Sequence, residues 1–86
     1  MEKNNSIQIP ILDGFETLGR QKPRGYVKVE ELVQLLDIPP NVVCDEVDHL
    51  LGLKYLEPFP VLGIVPTLNR EVKISGLGKL YLDSMN

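Results

Sequence analysis

Cys44 and His49 are the one thiol and the one imidazole of this 86-residue chain, and they lie five positions apart in the segment VEELVQLLDIPPNVVCDEVDHLL, residues 29–51. A cysteine nucleophile needs a base within hydrogen-bond reach. Five helical residues turn through about 500°, which leaves the two side chains ~140° apart around the axis and facing away from each other. Asp45 and His49, at i and i+4, do share a face and would begin a metal site. A metal needs three or four ligands, and no further His or Cys exists to complete the set. The plainer reading of that pair is a surface ion pair worth about 0.3–0.5 kcal/mol when His49 is protonated. The acidic pairs Glu30-Glu31 and Asp45-Glu46 read as solvated helix faces rather than an acid–base couple in a cleft. Gly76-Leu77-Gly78-Lys79 lacks the glycine spacing of a phosphate-binding loop and the strand that should precede it. The expectation is a chain that is not an enzyme, with no metal, no cofactor and no small-molecule substrate.

The same segment is the organising element. Val29, Leu32, Val33 and Leu36 repeat at i, i+3, i+4 and i+7, one apolar stripe of a helix. Val43, Val47, Leu50 and Leu51 form a second stripe. Between them Asp37-Ile38-Pro39-Pro40 must break the helix, because a residue before proline is driven out of the α region. Pro40 then suits the first helical position. Ile38 should fill the corner, and Gly52 should end the second helix as a left-handed cap. Lys28 is a poor cap for the first.

VKVEELVQLLDIPPNVVCDEVDHLLGLKYLEP, residues 27–58, resembles the helix-turn-helix of the winged-helix superfamily, in the style of small prokaryotic regulators. A looser likeness runs through KISGLGKLYLDSM to the C-terminus. The resemblance implies an α+β fold: a winged helix-turn-helix with a three-helix core, a β-hairpin wing and a C-terminal helix. It also implies that the second helix of the pair would enter the DNA major groove.

The flanks can be read against that plan. Residues 1–8 are expected to be a flexible terminus and residues 9–86 a single domain. Pro10 would open a helix running to Leu18, with Ile11, Leu12, Phe15 and Leu18 on one side; Gly14 inside it costs about 1 kcal/mol relative to Ala. Tyr26-Val27-Lys28 should be a short strand. Phe59–Val65 should be one wing strand and Arg70–Ile74 the other, with residues 66–69 at the tip; Pro58 and Pro60 confine the first strand to an edge. Ser75 should cap a last helix with Leu77, Leu80, Tyr81 and Met85 inward, and Gly78 should allow close packing.

Net charge is −3, with 43% hydrophobic and 24% charged residues, ordinary for one globular domain. Its distribution is uneven. Residues 1–28 hold five basic and three acidic residues, residues 29–51 hold none and six, and residues 52–86 hold four and three. A nucleic-acid binder should show a basic face, yet here the acids sit on the element that would dock. With no leader segment and no apolar run near the length of a membrane span, the expected location is cytoplasmic and away from membranes.

Two binding readings follow. DNA recognition would use Arg20, Lys22, Arg24 and Lys28 in the connector, Asn41 on the reading helix and Arg70 near the wing tip. The competing view of that basic run is an ordinary solvated loop. The outward face of the second helix would carry Asn41, Val42, Cys44, Asp45, Asp48 and His49, with Glu46 at its edge. Its acids oppose the phosphate attraction that drives DNA binding. Protein–protein contact would use the apolar wing, with Phe59, Leu62, Ile64 and Leu68 as contacts for a second copy or a partner protein. The competing view is that the chain's own helices cover the wing. The acidic helix imposes the larger penalty, so protein interaction ranks first and a DNA-binding regulator second. An acidic mimic of nucleic acid, seated in a basic groove, ranks third.

Overall fold

The structure, a computed structural model, describes residues 5–85, with side chains from residue 7 onward. Within that span the chain is α+β. The helices are α1 (Asn5–Gly19), α2 (Val29–Leu35), α3 (Pro40–Gly52) and α4 (Gly76–Ser84). The strands are β1 (Val27–Lys28), β2 (Leu56–Pro58) and β3 (Glu71–Ile74), and a 3-10 turn at Thr67–Asn69 leads into β3. No helix among the described residues is long and apolar enough to cross a membrane.

The sheet is antiparallel with order β1-β3-β2. Val72 stands opposite both Val27 and Pro58, and Ile74 opposite Leu56. Val27, Leu56, Val72 and Ile74 are all buried, so one sheet face belongs to the core. The other face sets Lys28 against Glu71 and Lys73 against Glu57. Opposite charges placed across a ladder in this way contribute about 0.2–1 kcal/mol each. Helix α1 lies on the apolar face with Ile11, Leu12 and Phe15 buried. Val29 and Leu32 of α2 and Val43, Val47 and Leu50 of α3 complete the core.

The helix pair forms as its periodicity predicts. Lys28 offers no side-chain cap to α2, and Pro40 takes the first turn of α3. Ile38 packs partly buried against the core at the corner. The end of α3 differs from expectation. Gly52 is its last helical residue, and the left-handed residue is Lys54, at φ 70°. The Lys54 amide donates to the Leu51 carbonyl and the Tyr55 amide to the Leu50 carbonyl. That is the paired arrangement of a Schellman cap, built here on a residue with a Cβ.

Four further expectations are corrected. Helix α1 begins at Asn5 rather than Pro10, so residues 5–8 are helical and Pro10 lies inside the helix; residues 1–4 lie outside the described residues. The strand expected at Phe59–Val65 is instead the three residues Leu56–Pro58. Phe59 donates one more ladder bond to the Glu71 carbonyl. Beyond it Pro60 and Pro66 bring no N–H, and Gly63 adopts φ 84°, so pairing ends. Arg70 follows the 3-10 turn, partly buried, and its carbonyl accepts from the Val29 amide; it does not stand at a projecting hairpin tip. In α4 the inward residues are Gly78 and Leu82, flanked by Tyr81, while Leu77, Leu80 and Met85 are exposed. A Cβ on Gly78 would collide with the Tyr55 carbonyl oxygen and crowd Ile74, so the bare backbone sets which face of α4 turns in. Ser75 caps α4 as expected, accepting from the Gly78 amide at 3.0 Å and donating to the Lys54 carbonyl at 2.6 Å.

Three substitutions test these features by urea denaturation. Gly78→Ala should lower stability by about 1–3 kcal/mol through overpacking, whereas Gly52→Ala, which meets nothing within 4 Å, should be neutral or gain up to about 1 kcal/mol. Lys54→Gly should raise stability by about 0.5–1 kcal/mol by removing the left-handed penalty; a loss would show that the Lys54 side chain carries a stabilising contact.

Candidate interaction surfaces

The apolar segment between β2 and the 3-10 turn divides into two parts. Phe59 and Leu68, expected among the contact residues, are half-buried. Phe59 meets the Tyr26 ring edge-on at 5.1 Å, and Leu68 packs against the core. Leu62 and Ile64 are 101% and 100% exposed, and Val61 between Pro60 and Leu62 is half-exposed. Internal cover therefore reaches the ends of this segment and stops short of its middle. An isolated exposed Leu is ordinary, but two fully exposed branched aliphatic side chains within three residues, beside a half-exposed Val61, are not.

The basic connector, residues 20–28, is partly neutralised. Arg20 pairs with Glu16 at 3.2 Å, and Lys22 pairs with Glu31 at 2.9 Å. Arg24 and Lys28 are exposed and make no ion pair among the described residues. Arg24 stands between two surface grooves of about 350 Å3 each. One is lined by Tyr26, Phe59 and Pro23 together with charged stems. The other lies between the end of α1, the outer sheet face and the start of α4. Lys73, which lines the second groove, sets its Nζ 5.0 Å from the centre of the Tyr26 ring of the first, a cation–π contact worth about 0.5–1 kcal/mol at an exposed site.

On α3 the exposed stripe is Asn41, Asp45 and Asp48, with Val42, Cys44 and His49 half-buried. Asp48 accepts a hydrogen bond from the Thr67 hydroxyl at 3.0 Å, which ties the 3-10 turn to the helix. The expected Asp45–His49 pair is not formed. Among the described residues no group of three or more His, Cys, Asp or Glu is placed to hold a metal.

Glu46, expected at the edge of the outward face, is 6% exposed. Its carboxylate accepts from Gln8 Nε2 at 3.1 Å, and the Tyr81 hydroxyl donates to Gln8 Oε1 at 3.2 Å. Tyr81 in turn stacks on Tyr55, with centroids 4.6 Å apart. This chain of contacts joins α3, α1 and α4 through a residue read from sequence as part of a flexible terminus. The available signal was spacing: Glu46 lies three positions after Val43 and four before Leu50, on the apolar side of α3, where an acid requires a polar partner. Its burial leaves two acids, not three, on the exposed face of α3.

Burial pushes the Cys44 thiol above its usual range, and the Asp48 and then the Asp45 carboxylates push it the same way. A raised pKa means less thiolate, and the thiolate is the species that reacts. Cys44 should therefore be alkylated by iodoacetamide more slowly than a small-molecule thiol at about pH 8. Asp48→Asn removes one of the opposing charges and should speed the reaction, by less than about tenfold. An unchanged rate would mean that the Asp48 charge does not set the reactivity.

No family model, no curated protein and no solved structure matches this chain at a significant level.

Proposed function

We propose that this chain is a non-enzymatic winged-helix module that acts through protein contacts made by the loop 59–66. The element order α1-β1-α2-α3-β2-β3-α4 and the antiparallel sheet with β3 at its centre support the winged-helix reading. So does the Ile38–Pro40 corner between α2 and α3. In that reading α3 is the helix that would dock, and the loop 59–66 with the Thr67–Asn69 turn takes the place of the wing.

The observation that carries the interaction reading is the complete exposure of Leu62 and Ile64. Two branched aliphatic side chains in water gain about 1.5–3 kcal/mol each on full burial. Their loop is joined to the fold at both ends, by the Phe59–Tyr26 contact and the Thr67–Asp48 bond. Loop ordering on binding therefore costs less than for a free segment. The occupant is a second copy or a partner protein, as the sequence reading ranks it.

DNA binding is the second reading, and two observations move it in opposite directions. Burial of Glu46 weakens the electrostatic objection on α3. The pairing of Arg20 and Lys22 with Glu16 and Glu31 withdraws half of the connector's charge. Arg24, Lys28 and the exposed Asn41 would remain as contacts.

Leu62→Asp and Ile64→Asp should each abolish association, whether with a second copy in sedimentation or with a captured partner, while folding stability changes by no more than about 0.5 kcal/mol because both sites are exposed. The association should be as strong in high salt as in low. A complex with a mixed-sequence duplex that dissolves with salt, survives Leu62→Asp and fails with Arg24→Glu would replace this reading with the DNA-binding one.

A further inference from the structure

The groove between the end of α1, the outer sheet face and the start of α4 carries a charge opposite in sign to that of the whole chain. Arg20, Arg24, Lys73 and Lys79 line it, against Glu16 and Glu57, which leaves an excess of two positive charges in a protein of net charge −3. Glu16 is already met, accepting from Arg20 at 3.2 Å; Glu57 stands opposite Lys73 across the ladder and makes no ion pair among the described residues. Arg24 and Lys79 supply the excess: neither makes an ion pair among the described residues, and both are exposed. Asp13 and Asp83 line an adjoining cleft that shares Glu16, Arg20 and Lys79 with this groove, and neither acid lines the groove itself. Phe15 and Ile74 lie beneath it almost fully buried, so the surface it presents is more polar than apolar, with Gly19, Gly25 and Gly76 along its walls. A Cβ on Gly76 would meet nothing within 4 Å, so the wall there is open to a ligand.

We propose that this groove binds a phosphate monoester, with the phosphate between Arg24 and Lys79 and the polar organic portion along the wall beside Gly25 and Gly76. The guanidinium of Arg24 offers paired donors suited to a phosphate, and Lys79 adds a mobile point charge. A volume of about 350 Å3 is at the lower end of small-molecule sites, ~300–1,000 Å3, which fits a sugar phosphate or a mononucleotide. The site is separate from the exposed loop and goes beyond the interaction reading. A nucleic-acid backbone offers phosphodiesters, each with one charge and two free oxygens, so a duplex serves as the competing ligand in the test.

An amide-resolved NMR titration of the whole chain decides it, first with inorganic phosphate, then with adenosine monophosphate, then with a short duplex. Saturable shifts are expected at Gly25 and Gly76, with Arg24→Glu and Lys79→Glu each weakening binding at least tenfold. Leu62→Asp should leave the titration unchanged, and Arg24→Glu should leave loop-mediated association unchanged, so either reading can fail alone. Tighter binding of adenosine monophosphate than of the duplex is expected; tighter binding of the duplex would overturn the monoester assignment. Shifts spread over all basic residues without saturation, or full affinity in both charge-reversal variants, would overturn the proposal.

Discussion

The fold depends on the burial of α1 against the inner face of the sheet. The strands hold two, three and four residues, and a sheet that small is not stable without a helix across it. Phe15, Ile11 and Leu12 supply that cover. Helix α1 also touches α2, α3 and α4, so one apolar face orders every other helix. Close approach to α2 is made at Gly14, where a Cβ would strike the Leu32 side chain. A glycine that weakens α1 as an isolated helix is thus what lets the second layer close on it.

Polar contacts then add direction to an otherwise nonspecific core. The Glu46–Gln8–Tyr81 chain is the main example. A buried carboxylate left without a donor costs about 1–3 kcal/mol or more, so the register of α1 against α3 and α4 is held by more than apolar burial. The Ser75 hydroxyl works in the same way at smaller scale, bonding α4 to the turn after α3. With these groups satisfied, the surface is left with three chemically different regions: an acidic stripe on α3, an apolar loop at 61–64, and a positive groove beside Arg24.

Where sequence and structure part, tertiary contacts outweigh a local rule. Pro10 marks a helix start by every local criterion, since it contributes no amide to the helix ladder. The helix nevertheless extends back to Asn5, and Gln8 in the added turn finds Glu46 and Tyr81. Helix α4 has apolar residues on more than one face, so periodicity alone gives two defensible phases; the approach of Gly78 to the Tyr55 carbonyl selects the one with Leu82 inside. The stretch from Phe59 to Val65 has strand-forming residues, but β3 is only four residues long and has no further edge to offer it.

Sequence alone determined the α+β class, the α2–α3 pair with its proline corner, strand β3, the Ser75 cap and the uneven distribution of charge. Each of these is set within a few residues, by apolar spacing, by proline geometry or by a side chain bonding its own backbone. Tertiary structure alone decided that Glu46 is buried, that Arg20 and Lys22 are paired, that Leu62 and Ile64 stand in water while Phe59 does not, and that Arg24 and Lys79 flank one groove. Those outcomes depend on which residues far apart in the chain come to share a surface, and no local pattern encodes that.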